Sequence, residues 1–345
     1  MKPMEYYKDF AASLQAFFLD YLVRERGSSR HTIRAYRDTF SLLVDYMDTE
    51  HHVPPDRLSF SVLSVDKIRS FLNWLEECRG NSICTRNQRN AALRSFFKYM
   101  IYIDPIHINH WKSMGSIPMK NGPKGTLNYM SVDAVRAILE EIETGTPQGL
   151  RDLTMLSLLY NTGARVQELI DLTPLSVRRE TPYVIELFGK GSKKRLVPLE
   201  DAMMNLLTKY MRIYRLDQRG RESYPLFPNR WGGKLTSQGV SYTIDKYVAM
   251  ARIRNPDLLP DAITPHVFRH SRAMHLLQAG VNLVYIRDIL GHVSVQTTEI
   301  YARTDSKQKR EALENAYAAV GITEPDSKKW EQNPKLREML KELCR

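Results

Sequence analysis

Apolar residues recur every three or four positions along the first third of the chain, and this spacing predicts four helices. Such spacing buries one face of a helix and leaves the opposite face to solvent. The four groups of apolar residues span positions 14–22, 33–47, 68–75 and 93–101. We therefore predict a helical first domain over residues 1–115.

A polar segment at residues 116–127 separates this domain from the rest of the chain. It contains Pro118, Gly122 and Pro123 among polar residues, a composition typical of a linker. Beyond it, Ser131 is placed to cap a helix, and helical spacing continues to about residue 320. We predict a second domain over residues 128–322 and a C-terminal tail over residues 323–345.

One stretch of the second domain has the pattern of strands instead. Residues 183–188 and 195–199 form two short apolar runs, joined by Gly-Lys-Gly-Ser-Lys-Lys at positions 189–194. Two such runs around a short glycine-containing segment predict a β-hairpin, here with a basic tip. The predicted fold class is therefore mainly α with a small antiparallel β-sheet.

Composition narrows the class of partner. Fifty Lys and Arg against 39 Asp and Glu give a net charge of +11, which favours a polyanion such as nucleic acid or an acidic membrane surface. The chain has no run of 18 apolar residues, and its first thirty residues carry four acidic side chains. Neither a membrane span nor a signal peptide fits this pattern, so we expect a soluble intracellular protein.

Three cysteines, Cys78, Cys84 and Cys344, occur without a Cys-x-x-Cys pair. An odd number of cysteines with this spacing supports neither a disulfide framework nor a cysteine-rich zinc site. We expect reduced thiols and no bound metal.

Two basic stripes in the first domain have helical spacing and are candidate DNA-binding surfaces. A stripe of this kind fits contacts to phosphates, although a face that simply meets solvent has the same pattern. The first stripe comprises Arg30, Arg34 and Arg37, and the second comprises Arg86, Arg94 and Lys98, on the helix face opposite Phe96 and Phe97.

Five short segments of the second domain contain the candidate catalytic residues. Each segment alone is weak evidence for a function. Together, their order and spacing resemble the tyrosine recombinase and phage integrase family over residues 154–303. The segments are Thr-Gly-Ala-Arg-Val-Gln-Glu with Arg165 and Glu168, the hairpin Lys190, His266-Val-Phe-Arg269, Leu-Gly-His292, and Tyr301 nine residues later. More loosely, the first domain resembles the helical, SAM-like core-binding domain of that family, which implies an α+β catalytic domain for the second.

The chemistry explains the residue types. Transfer of a DNA phosphodiester to a protein oxygen builds negative charge on the phosphate, and the guanidinium groups of Arg165 and Arg269 suit it because they stay protonated and planar. A tyrosine phenol, with a pKa of about 10, is also a better leaving group than a serine alkoxide. The resemblance implies that Tyr301 forms a 3′-phosphotyrosine and frees a 5′-hydroxyl, with neither metal nor ATP as a cofactor.

The resemblance also implies the remaining roles. Lys190 would protonate the leaving 5′ oxygen, His266 would take part in proton transfer at the nucleophile, and His292 would bind the scissile phosphate. Glu168 is interpreted as a supporting residue that orients an arginine or the backbone, and His270 as a packing histidine.

Lys193 and Lys194 share the turn with Lys190 and are its rivals for the acid role. Because Lys190 lies inside Gly-Lys-Gly, as in the family hairpin, we assign the acid role to Lys190 and DNA binding to the other two. A zinc site among the histidines is disfavoured because arginines lie between them and no cysteine accompanies them.

The predicted partner is double-stranded DNA, with a homo-tetramer on two recombination sites, no membrane, and a cytoplasmic, nucleoid-associated location. The tail could dock on a neighbouring protomer or pack on its own chain. Three alternatives stay open: a metal-dependent nuclease, a catalytically silent DNA-binding relative and a type IB topoisomerase. A nuclease would need clustered carboxylates to hold Mg²⁺, whereas the motif region is basic. The sequence leaves open the target site and the biological role, which could be chromosome dimer resolution, phage integration, transposition or cassette exchange in an Xer-like or transposon-type recombinase.

Overall fold

The computed structural model describes residues 9–122, 127–189, 193–292 and 294–304. The chain divides into two compact units, residues 1–125 and 126–345. The mainly α fold class with a small antiparallel sheet is confirmed. Within the described part of the chain, no helix combines the length and the apolar character needed to cross a bilayer.

The first unit is helical throughout. It contains a π-helical segment, Phe17–Glu25, which continues α1, and two short 3₁₀ turns, Pro55–Arg57 and Pro105–His107. Its α-helices are α1 (Phe10–Ala16), α2 (Arg30–His51), α3 (Val65–Glu77), α4 (Ile83–Ile103) and α5 (Ile108–Gly115).

Serine side chains fix where three of these helices begin. The hydroxyls of Ser29, Ser64 and Ser82 each accept a hydrogen bond from the backbone N–H three residues later. All four predicted helices are present, and α5 is an additional helix. Its Trp111 and Met114 are buried in the same core as Phe96 and Phe97 of α4.

The beginning of the predicted linker is bound to the first unit. Asn90 Nδ2 donates to the carbonyl of Ile117 at 3.0 Å, and Arg86 Nη1 donates to that of Pro118 at 3.0 Å. Asn87 Nδ2 donates to the carbonyl of Lys120 at 2.8 Å. These bonds explain why α4 carries polar side chains on a buried face.

The placement of Arg86 on an exposed basic stripe is wrong. Its side chain is 3% exposed and also pairs with Glu76 at 3.3 Å, so it serves the packing of the first unit. Arg94 and Lys98 on the same helix are exposed, as predicted.

The second unit combines helices with one sheet. A 3₁₀ turn, Pro174–Ser176, precedes the first strand. The helices are α6 (Val132–Glu140), α7 (Pro147–Thr162), α8 (Val166–Ile170), α9 (Asp201–Ile213), α10 (Ser237–Arg254), α11 (Pro265–Gln278), α12 (Leu283–Leu290) and α13 (Val295–Thr304).

The sheet has three antiparallel strands in the order β1 (Val177–Arg178), β2 (Val184–Phe188) and β3 (Lys194–Pro198). The predicted hairpin is β2 and β3, closed by a hydrogen bond from Gly189 N to the carbonyl of Lys193 at 2.8 Å. The short β1 was not predicted. Ile185, Leu187 and Val197 alternate along β2 and β3 and bury one face of the sheet in the core of the second unit.

Candidate active site

The N-terminus of α8 gathers a cluster of charges around Glu168. The carboxylate of Glu168 accepts from the backbone N–H and from Nη1 of Arg165, each at 2.8 Å. The guanidinium of Arg195 donates to both of its oxygens, at 2.8 and 2.6 Å. Burial raises the pKa of Glu168, but the bonds from Arg195 and Arg165 outweigh it and the net pKa is lowered. A charged carboxylate therefore holds both arginines in place.

Arg195 connects the hairpin to the end of α12. It lies on β3, and its Nε donates to the carbonyl of Ile289 at 2.9 Å. Gly291, the residue that ends α12, has φ +65°, and a Cβ there would lie 2.9 Å from Cδ of Arg195. Only glycine suits both this backbone conformation and this close approach. The prediction that Gly291 stops the helix before His292 is confirmed.

Arg269 lies on α11 and joins the ends of two other helices. Nη1 donates to the carbonyl of Gly163 and Nη2 to that of Leu290, both at 2.6 Å. These carbonyls lie at the C-terminal ends of α7 and α12, where backbone acceptors need partners. Burial and the neighbouring Arg165 lower the pKa of Arg269 to about 10, so it remains a cation at neutral pH.

Tyr301 lies on α13 and is 2% exposed. Its hydroxyl is 3.0 Å from Nδ1 of His270 on α11, and its ring stacks on that of His292 with centroids 6.4 Å apart. Burial raises the pKa of the phenol, while the charges of Arg269 and Arg165 act in the opposite direction. The predicted nucleophile therefore lies among the predicted phosphate-binding residues.

The histidines of the site are held in the neutral form. Burial lowers the pKa of His266, and the positive charges of Arg269 and Arg165 lower it further. The same causes, burial first, lower the pKa of His292 to about 4. Nδ1 of His292 is 2.9 Å from Oγ1 of Thr298, a fully buried residue of α13. His266, at the start of α11, is only partly desolvated and keeps part of its surface exposed to solvent.

A cleft of about 550 Å³ opens between the hairpin and the end of α12. Its lining includes Arg165, Lys193, Lys194, Arg195 and His292. Lys193 and Lys194 are exposed, and Lys194 forms an ion pair with Glu186. The cleft therefore offers a strongly cationic surface next to the predicted chemistry. Lys190 lies outside the described residues.

In the first unit, Arg30, Arg34 and Arg37 are exposed on α2, as predicted. Arg37 pairs with Asp38 at 2.8 Å. A separate groove of about 410 Å³ is lined by Arg94 and Lys98 of α4, together with Arg26, Lys112 and other residues of this unit. Its four basic side chains make it the more strongly charged of these candidate surfaces.

Sequence reasoning missed two positions and misread one. Arg195 was seen only as the start of a strand, although an arginine on the same side of β3 as buried Val197 needs a carboxylate partner. Thr298 gave no signal because a single threonine in a helix has no distinctive pattern. His270 is not merely a packing histidine, since it contacts the hydroxyl of Tyr301. Its position four residues after His266, on the same helix face, was the available signal.

Comparisons with known proteins identify relatives of both units. Residues 128–308 match the phage integrase family, and residues 16–102 match the phage integrase N-terminal SAM-like domain. The integrase/recombinase y4rC of Sinorhizobium fredii is 34% identical over 310 residues, covering 90% of this chain and 92% of that protein. The tyrosine recombinase XerD of Listeria monocytogenes is 34% identical over 288 residues, covering 82% and 91%.

Among solved structures, the XerH site-specific recombinase bound to a palindromic difH substrate, in a post-cleavage complex, has the same fold. The TM-score is 0.65 at 22% identity, with 89% of this chain and 82% of that chain covered. The chain belongs to the phage integrase family, the tyrosine-type site-specific DNA recombinases. The family expected from the motifs is thus confirmed.

Proposed function

We propose that this chain cleaves and rejoins DNA at specific sites through a covalent 3′-phosphotyrosine on Tyr301, with neither metal nor ATP as a cofactor. The observation that carries the proposal is the surroundings of the Tyr301 hydroxyl. It lies 3.0 Å from a histidine, and the charges of Arg269 and Arg165 act on it. Family membership supports the same assignment.

Arg165 and Arg269 bind the non-bridging oxygens of the scissile phosphate. The side chain of Arg165 is 36% exposed and lines the cleft, so part of its guanidinium is accessible to DNA. Two N–H groups of Arg269 donate to backbone carbonyls, and its remaining N–H groups are available to the phosphate. Fixed cations at this point stabilise the charge that develops during phosphoryl transfer.

Proton transfer accompanies both bond changes. Lys190, which the sequence places in the predicted hairpin, protonates the leaving 5′ oxygen, and a neutral histidine of α11 takes the proton of Tyr301, a role that the resemblance assigns to His266. His292 donates a hydrogen bond to the phosphate from Nε2. The phosphotyrosine conserves the energy of the phosphodiester, so the free 5′-hydroxyl can attack it and reseal the strand.

Double-stranded DNA is the substrate, and four protomers act on two recombination sites, as the resemblance implies. The exposed basic residues of the first unit, Arg94 and Lys98 above all, supply phosphate contacts whose strength depends on salt. We further propose that the protein works in the cytoplasm on the nucleoid.

Recovery of the covalent adduct tests the proposal. The tagged protein is captured from its host cells under denaturing conditions, and the attached DNA is sequenced to define the cleavage site. A nicked duplex carrying that site, which traps the cleaved state, is then incubated with purified protein in EDTA. We expect an adduct with wild type, none with Tyr301→Phe, and retained DNA binding by that variant.

Tyr285→Phe is the matched control, because Tyr285 is an exposed tyrosine of the neighbouring helix α12. It should form the adduct at the wild-type rate. An adduct that persists in Tyr301→Phe, or one that forms only with a divalent metal, would contradict the proposal. Binding without any adduct would identify a silent relative.

A further inference from the structure

The Tyr301 hydroxyl has a histidine partner other than the one that the motif indicates. Nδ1 of His270 lies 3.0 Å from the hydroxyl oxygen, within hydrogen-bond distance. His266 lies one turn earlier on α11 and is exposed, with its ring centroid 6.4 Å from that of His270. Within the described part of the chain, no hydrogen bond joins His266 to Tyr301.

His292, the other histidine beside the phenol, is engaged elsewhere. Its Nδ1 lies 2.9 Å from Oγ1 of Thr298, and its ring is nearly parallel to that of Tyr301, with centroids 6.4 Å apart. A base for Tyr301 must present a nitrogen lone pair to the hydroxyl, and within the described residues no hydrogen bond joins His292 to Tyr301. Of the three histidines, His270 has the geometry of a base for Tyr301.

We propose that His270 is a catalytic residue that accepts the proton of Tyr301 during cleavage and returns it during resealing. The inference rests on the proposed function and deepens it. The O–H proton passes to Nδ1 of His270, and the phenol oxygen forms a bond to phosphorus. The bond from phosphorus to the 5′ oxygen breaks, and that oxygen takes its proton from the acid. Resealing reverses every transfer, so no net proton remains on either group.

The surroundings of His270 keep it able to accept this proton. Burial lowers its pKa, and the nearby His266 and Arg269 on the same helix lower it further. Tyr301 faces it from α13, and His292 lies close enough to be influenced by it. A neutral imidazole with its proton on Nε2 leaves Nδ1 free to accept, whereas an imidazolium could only donate.

The same helix carries a matched control pair. Nδ1 of His275 lies 2.8 Å from the hydroxyl of Tyr160 on α7, and burial lowers the pKa of His275 as well. This second pair has the same chemistry, but neither of its residues belongs to the proposed catalytic set. Variants of His275 and Tyr160 therefore report what loss of such a bond does to the fold alone.

The hydrogen bond is tested first, without DNA. In protein labelled with ¹⁵N-histidine, Tyr301→Phe should shift the Nδ1 resonance of His270, and Tyr160→Phe that of His275. Both histidines should be in the Nε2–H form at pH 7, with titration midpoints below the ordinary value of about 6.5. An unchanged His270 resonance in Tyr301→Phe, or a His270 already charged at pH 7, would overturn the inference.

Cleavage kinetics then test the proton transfer, on the nicked duplex defined by adduct sequencing. His270→Gln keeps a hydrogen-bonding group but cannot take up a proton, so cleavage should fall on the order of 10²-fold or more. The loss should exceed that of His266→Gln, and His275→Gln should cleave like wild type. Added imidazole should restore part of the activity of His270→Ala, an effect that a purely structural role would not produce.

The outcomes separate the two proposals. If wild type forms a Tyr301-dependent adduct and His270→Gln matches its rate, the base assignment to His270 fails while the proposed function stands. If His266→Gln loses more activity than His270→Gln, and only its alanine variant responds to imidazole, the base is His266. If wild type yields no Tyr301-dependent adduct in its host cells, the proposed function fails and the role of His270 with it.

Discussion

The guanidinium of Arg195 donates hydrogen bonds to both carboxylate oxygens of Glu168, at 2.8 and 2.6 Å. The pair is almost fully buried, with side-chain exposures of 9% and 4%. Through Glu168 it also reaches Arg165, and through the carbonyl of Ile289 it reaches the end of α12. Arg195 thus positions residues of the site, although no motif drew attention to it.

Replacement of Arg195 should lower both stability and activity. Arg195→Gln removes the guanidinium that donates two hydrogen bonds to the buried carboxylate of Glu168. This change should lower the free energy of unfolding by about 2 kcal/mol. Arg195→Lys keeps the charge but not the planar fork, and should cleave more slowly than wild type. Urea denaturation of the full chain and adduct formation measure the two effects.

Arg136→Gln is the control for Arg195, because it breaks an exposed ion pair with Asp133. It should change stability by less than about 0.5 kcal/mol. If Arg195→Gln were as stable and active as Arg136→Gln, Arg195 would not be a positioning residue.

Thr298→Val should weaken cleavage through His292. Only the Nε2–H form of His292 can donate to the phosphate, and a hydroxyl donating to Nδ1 favours that form. Valine has nearly the same shape but no hydroxyl, so we expect a loss on the order of 10-fold in cleavage with DNA binding retained. Thr243→Val removes another buried hydroxyl of the second unit, one that donates to the carbonyl of Gly239, and should cleave normally. Equal rates for both variants would contradict this role of Thr298.

Acid should destabilise the second unit in two separate ranges. The pKa of His292 is about 4 in the folded state and about 6.5 when unfolded, so the unfolded chain binds the proton more readily. The contribution of His292 to the free energy of unfolding is therefore fully present above about pH 6.5, and it decreases as the pH falls towards 4. The pKa of Glu168 is lowered, so its contribution is lost below the ordinary carboxyl range.

Calorimetry of wild type and His292→Asn between pH 7 and 4 measures the first range. The variant should lose less of its Tm across that range, because one group with a lowered pKa is absent. A wild-type Tm that stayed constant over these pH values would refute the expectation.

Replacement by lysine should affect the stability of the protein differently at Arg165 and at Arg269. Arg165→Lys and Arg269→Lys each lose the planar fork, so cleavage should fall on the order of 10²-fold. Arg269 also joins the carbonyls of Gly163 and Leu290, whereas Arg165 is partly exposed. We therefore expect Arg269→Lys to lower the melting temperature clearly and Arg165→Lys to leave it close to wild type. Wild-type cleavage by either variant would move the phosphate site elsewhere.

A sulfur substitution tests Lys190 against its neighbours. When the bridging 5′ oxygen is replaced by sulfur, the leaving group needs no acid, so this DNA should rescue Lys190→Ala. It should not rescue Lys193→Ala or Lys194→Ala, which should instead bind both DNAs more weakly as salt increases. Rates at saturating protein separate the two effects. Rescue of a neighbour instead of Lys190 would transfer the acid role to that residue.

The sequence predicted the elements and the motif residues better than their contacts. Helical spacing identified all four predicted helices of the first unit, because each buries a continuous apolar face. It misjudged Arg86, since a basic side chain is buried when a carboxylate and a backbone carbonyl meet it, and those partners, Glu76 and Pro118, are 10 and 32 residues away along the chain. His270 was misread and Arg195 was missed for the same reason. Their partners, Tyr301 and Glu168, are 31 and 27 residues distant and meet them only in the folded structure.

Tyr301 and Thr298 lie one turn apart on α13. The helix that carries the proposed nucleophile therefore also contacts the ring of His292. A displacement of α13 would move the phenol of Tyr301 away from His270. It would also break the contact between Thr298 and His292, so that the imidazole could change its tautomer. The position of α13 therefore determines whether Tyr301 and His292 are both correctly placed for the reaction.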